Sequence, residues 1–127
     1  MKKTKFTIEY PLKSASLNVL WSSISTPLGL AEWFANGVKV NDNEFSFTWE
    51  DNKQTAILIQ SKPTVFVRFQ WEEDVDSEYY FELKIASIEI TGDLALVITD
   101  FAVSSEKDDL ILLWNKQIEV LRRKTGI

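Results

Sequence analysis

Residues 26–35 read TPLGLAEWFA and place Leu28, Leu30, Trp33 and Phe34 within one short stretch. Thr26 can cap a helix through its hydroxyl, and Pro27 suits the first helical position, where a missing N–H costs nothing. Leu30, Trp33 and Phe34 then share one face, and Asn36-Gly37 is expected to supply a left-handed stop. So short an apolar helix cannot bury its own face. It must close something larger, and the flanking sequence says what.

Upstream, KFTIEY (residues 5–10) alternates Phe6, Ile8 and Tyr10 on one side, the pattern of a half-buried strand, which Pro11 is expected to end. Between them, residues 14–25 set Leu17, Leu20, Trp21 and Ile24 at helical spacing, with Ser14 or Ser16 as the N-cap. Downstream of Gly37 the period drops to two. EFSFTWE aligns Phe45, Phe47 and Trp49, and TVFVRFQW aligns Val65, Val67, Phe69 and Trp71. Turns are expected at residues 41–43, at Asp51-Asn52 and at Lys62-Pro63. YYFELKI turns Tyr79, Phe81, Leu83 and Ile85 inward, against Tyr80, Glu82 and Lys84 outward. The large residues then change phase to Ile88 and Ile90, which predicts a bulge near Ala86 and Ser87. LALVITDFAV forms a last strand. A long helix follows, with a capping box at Ser105 and Asp108 and a face of Leu110, Leu113, Trp114, Gln117, Ile118 and Leu121. Arg122, Arg123 and Lys124 suit its C-terminal dipole.

This order is strand, two short helices, six strands and a long helix. Strands joined by short turns pair antiparallel, and a meander of them twists enough to curl. The final helix, roughly 25–30 Å long, is the one element able to cover the concave side. The expectation is an α+β fold over residues 1–127 as one domain: a curled antiparallel sheet of about seven strands wrapped on a long C-terminal helix, with two short helices after the first strand.

That order resembles the helix-grip fold of the START-like superfamily. STPLGLAEWF, through Pro27, Leu30, Trp33 and Phe34, is similar to a segment of the Aha-type family, named for a co-chaperone that activates a heat-shock ATPase. LWNKQIEVLRRK resembles the closing helix of that family. The resemblance implies a cavity between sheet and helix that takes a hydrophobic or lipid-like ligand. It also leaves open a protein-interaction module of co-chaperone type, and a cyclase- or hydrolase-like enzyme.

Composition narrows these choices. The chain has no Cys and no His, which excludes thiolate nucleophiles, disulfides, Ser-His-Asp and Cys-His catalysis, and the commonest transition-metal sites. No cofactor or metal is expected. A net charge of −5 argues against a nucleic-acid partner. No apolar run is long enough to span a membrane, and the basic N-terminus MKKTKFTIEY lacks the apolar block of a secretory signal, so a cytoplasmic location is expected. The acidic run Glu72 to Glu78 lacks the glycine and spacing of a calcium loop and reads as a solvated turn.

Candidate ligand contacts follow from the inward rows: Phe47, Trp49, Phe69, Trp71, Tyr79, Phe81 and Ile98 from the sheet, Trp114 and Gln117 from the long helix, and Trp33 at the entrance. These aromatic side chains either line a cavity or fill it. Gln117 can orient a ligand or make a hydrogen bond at the edge of the core. Asp100 continues the row of Leu94, Leu96 and Ile98, so its carboxylate is either buried with partners or at the strand end in water, the position expected here. A hydrophobic ligand, a protein partner or a homodimer covering Phe66 and Tyr80 are the partners this reading allows.

Overall fold

The computed structural model describes residues 2–13 and 15–127. Ten main elements follow one another as β1 (Thr4–Leu12), α1 (Leu17–Ser25), α2 (Pro27–Leu30), β2 (Gly37–Asn41), β3 (Glu44–Trp49), β4 (Asn52–Lys62), β5 (Phe66–Trp71), β6 (Phe81–Ser87), β7 (Leu94–Ala102) and α3 (Lys107–Thr125). The strands form one antiparallel sheet in the order β1-β7-β6-β5-β4-β3-β2, a meander with the first strand laid beside the last. The sheet is not closed, and β1 and β2 are its two edges. The chain therefore has to cross from one edge to the other between β1 and β2. α1 and α2 make that crossing.

The caps follow local chemistry. Ser16 Oγ accepts from Val19 N–H at 3.2 Å and starts α1, while Ser14, the other candidate, lies outside the described residues. Thr26 Oγ1 accepts from Gly29 N–H at 2.9 Å, and Pro27 opens α2 as its pattern predicts. At the far end of the chain Gly126 takes φ 76° and closes α3.

Several boundaries differ from the sequence expectation. Pro11 does not end β1, which runs to Leu12. On an edge strand the side without an N–H faces away from the ladder, and the Pro11 carbonyl there accepts from the Arg122 guanidinium at 2.9 Å. Asn36-Gly37 makes no left-handed stop: Gly37 already pairs with Thr48 in β2, and the helical turns end in bonds from Phe34 and Ala35 N–H to Leu30 O. The bulge expected at Ala86 and Ser87 is absent, since β6 and β7 stay in register through Ser87 opposite Leu94. Ile88 and Ile90 belong to the following turn, closed by Gly92 N–H on Ile88 O, and Ile90 is 96% exposed. The register shift lies instead in β4, between Leu58 and Gln60. Glu106, not Ser105, precedes α3, and no side chain caps it; Asp108 and Asp109 offset this by sitting in its positive first turn.

The inward rows pack as their periodicity predicts. Phe45 and Phe47, Val67 and Phe69, Phe81 and Leu83, and Leu96 and Ile98 are buried on the concave face. α3 lies over that face through Trp114, Ile118 and Leu121, and α1 and α2 add Leu20, Ile24 and Leu30. Arg68 points to the other side, where it binds Glu82 at 2.7 Å and stacks on the Tyr80 ring at 4.3 Å.

Candidate functional site

Packing is incomplete at one end of the grip. β3 ends at Trp49, β5 at Trp71, and β7 carries Asp100 two residues before its end, so all three side chains gather at one rim of the sheet. The N-terminal half of α3 passes above them. Between them lies a half-open cleft of about 420 Å³, lined by Phe34, Trp49, Asn52, Gln54, Trp71, Phe81, Asp100, Leu110, Leu113, Trp114 and Gln117.

Phe34 sets the inner wall. Its ring stacks on Phe81 at 5.6 Å and on Trp114 at 5.7 Å, and meets Phe47 and Trp49 edge-on. Its backbone carbonyl accepts from Trp49 Nε1 at 3.0 Å and from Gln117 Nε2 at 2.9 Å. One carbonyl with two lone pairs thus fixes an indole from the sheet and an amide from α3. Gln117 makes the core-edge hydrogen bond that its place on the helix anticipates. Trp71 completes the wall, 5.0 Å from Phe81 and 6.4 Å from Trp49.

Asp100 corrects the expectation of a carboxylate in water at the strand end. It is only 9% exposed; Oδ2 accepts from Trp114 Nε1 at 2.9 Å and Oδ1 from Phe101 N–H at 2.7 Å. Burial pushes its carboxyl up to about 6, against the lowering effect of those two bonds and of Lys3. Among the described residues the cleft is lined by no Lys or Arg, and Asp100 is its one ionisable side chain.

Of the residues chosen from sequence, Trp49, Trp71, Phe81, Asp100, Trp114 and Gln117 come together in this cleft. Phe47, Phe69 and Ile98 lie beneath it as sealed core, at 0–1% exposure. Trp33 is buried elsewhere, with Nε1 donating to Ser23 O of α1 at 2.8 Å, which makes it the clasp between the two short helices rather than an entrance. Tyr79 lines a second depression of about 450 Å³ with Glu73, Asp74, Glu106 and Asp109, and its hydroxyl accepts from Lys3 N–H at 3.1 Å. The two depressions abut across Trp71, Asp100, Leu110 and Leu113.

Sequence reasoning missed Phe34, Asn52, Gln54, Leu110 and Leu113. Leu110 and Leu113 were open to it, being one turn before Trp114 and Gln117 on the same face. Asn52 and Gln54 follow from hairpin register, since they pair with Trp49 and Phe47. Phe34 was named in the deciding stretch, but which of two adjacent rings turns inward depends on the irregular turn after α2.

Comparison with known proteins places this geometry among relatives. A family model described as a START-like superfamily domain matches residues 1–127. A protein of Bacteroides fragilis, solved in solution, is 43% identical, with 100% of this chain and 94% of that one covered and a TM-score of 0.68. The Aha1 dimer of Colwellia psychrerythraea superposes with a TM-score of 0.75 at 13% identity, covering 93% and 92% of the two chains. The AHSA1-like protein of Aeromonas hydrophila gives 0.73 at 14% identity, covering 94% and 90%. The last two likenesses are of fold alone. No curated protein matches this sequence.

Proposed function

This chain belongs to the START-like superfamily, and on that premise we propose that it binds a small hydrophobic molecule, without catalysis, in the cleft between the sheet and α3. The observation that carries this reading is the cleft itself. Its volume lies in the range of ligand sites, about 300–1,000 Å³, and its walls are aromatic and aliphatic with a few placed polar groups. The polar inventory supports binding over turnover: Gln117 is already committed to Phe34 O, and Asp100 is held by two N–H donors and has no nucleophile or base beside it in the cleft.

Native mass spectrometry of the freshly purified protein, with a denatured control, tests this directly. The expected result is an added small-molecule mass that is lost on unfolding. Titration of the apo protein with apolar probes should also change the emission of Trp49, Trp71 and Trp114. A clean apo mass together with unchanged indole emission for every probe would overturn the reading.

A second reading has its own support. Leu112 and Leu113 are exposed on α3, and the Colwellia relative is described as a dimer. An interaction module working as a homodimer would show a concentration-dependent dimer mass in the same spectra, weakened by Leu112→Ser.

A further inference from the structure

We infer that the molecule seated in this cleft is a cationic amphiphile, an amine or quaternary ammonium on an apolar body, with its charge beside the Asp100 carboxylate and among the aromatic rings of the wall. The inference rests on the cleft being a ligand site and adds the sign of the ligand's charge.

Three observations lead to it. Asp100 is nine-tenths buried yet makes no ion pair among the described residues, where the ion pairs are Lys3–Asp74 and Arg68–Glu82. Each of its oxygens accepts one N–H, which leaves each a free lone pair for an ammonium donor. Burial already raises its carboxyl to about 6, so the bare anion is costly and a cation beside it relieves that cost.

The walls favour the same sign. Trp49, Trp71, Phe81 and Trp114 form a connected set of rings, with neighbouring centroids 5.0–6.4 Å apart. Aromatic faces carry negative potential and attract cations, most strongly when desolvated. The adjoining depression then extends the field outward. Glu73, Asp74, Glu106 and Asp109 line it, and its one cation among the described residues, Lys3, already sits 3.7 Å from Asp74. A fatty acid or phosphate ester would lose its water beside a buried carboxylate and find no positive side chain among the described residues of the cleft, Lys3 next door being paired with Asp74. An uncharged ligand would gain only the apolar contact. An ammonium gains the contact, the ring faces and the carboxylate together.

The test is a matched series of decylamine, decanol and decanoate, titrated into the full wild-type chain near neutral pH. Indole emission and the Trp114 Nε1–H resonance report binding. Decylamine should bind about tenfold or more tighter than decanol, and decanoate more weakly than either. Asp100→Asn should abolish the preference for the amine while decanol still binds. Where that variant does not fold, the exposed pair Glu106→Gln with Asp109→Asn should lower decylamine affinity about twofold at low salt and leave decanol unchanged. Equal affinity for decylamine and decanol, or tighter decanoate, would overturn the charge inference while leaving the hydrophobic cleft standing. Decylamine binding that leaves the Trp114 resonance unmoved would also overturn it, as attraction to the acidic surface alone. No binding by any member overturns both readings.

Discussion

The two ends of the grip are built from the same inward rows and finish differently. At the closed end Leu20 and Ile24 of α1, Leu30 of α2, and Ile118 and Leu121 of α3 are all within 1% of complete burial. At the open end Trp49, Trp71 and Leu110 are half-buried, and Leu113 on the helix above them is 51% exposed. The closed end is aliphatic and the open end largely aromatic, yet larger side chains have not closed the latter. The difference is the plug. The β1-to-β2 crossing packs α1 and α2 into one end of the sheet and reaches the other only through Phe34, so with α3 above it the fold makes a cleft by not filling it.

Breaking the sealed core beneath the cleft should cost the most. Phe47 is fully buried and meets Phe34, Phe69 and Trp71 ring to ring, so Phe47→Ala removes packing on several sides at once. A loss of about 3–5 kcal/mol in denaturant unfolding is expected. A loss under about 1 kcal/mol would mean that the core relaxes as freely as the cleft, and the contrast between sealed interior and open cleft would collapse.

The next largest effect sharpens the contrast through pH. The carboxyl of Asp100 titrates near 6 when folded and near the ordinary 3.9 when unfolded, so the folded state binds the proton more readily. Its contribution to stability is therefore fully present below about pH 4 and is lost as pH rises through about 6. The span is on the order of 3 kcal/mol at most, with Lys3 opposing and Asp74 adding to the shift. Unfolding of wild type and Asp100→Asn should be compared across this window, because other carboxylates act in both. Parallel pH curves for the two proteins would show Asp100 to be solvated, and the open end to be ordinary surface.

A smaller test addresses the plug itself. Gly29 lies where α2 presses on α1, and a Cβ there would land on the Ser22 carbonyl oxygen and 2.7 Å from Ser23 Cα. Backbone cannot turn aside as a side chain can. Gly29→Ala should cost about 1–3 kcal/mol and loosen the Trp33 clasp on Ser23 O, visible as faster hydrogen exchange of the Trp33 indole. Wild-type exchange in the variant would show that the two helices are not held by this close approach.

These residues also mark what the sequence could and could not reveal. The element order, the α+β helix-grip arrangement and the inward rows were legible because period two and period 3.6 are local signals. Thr26 and Pro27 announced α2 for the same reason. Asp100 was misread because its partner, Trp114, reaches it from another element, and no local pattern shows that a strand end will be roofed. Pro11 was misread because its tolerance depends on β1 being an edge strand. Trp33 and Phe34 are adjacent rings, and their separate fates, clasp and cleft wall, are decided by a turn whose geometry packing sets. Cleft residues on periodic elements, such as Trp71 and Trp114, could be named from sequence; Phe34, positioned by an irregular turn, could not.

The smallest expected effect bears on the open end directly. Leu113 borders both depressions from α3 but is half in water, so truncating it removes little buried surface and leaves no enclosed void. Leu113→Ala should therefore change stability by less than about 1 kcal/mol, against the several expected at Phe47. Its effect on probe binding should be larger than its effect on folding, because a seated ligand would desolvate the side chain that folding leaves exposed. A decanol titration and a urea curve on the same variant separate the two. Weaker binding with unchanged stability is the signature of a side chain held for a ligand; a stability loss matching that of Phe47→Ala would show that α3 closes down on the cleft in solution and that the two ends of the grip are alike.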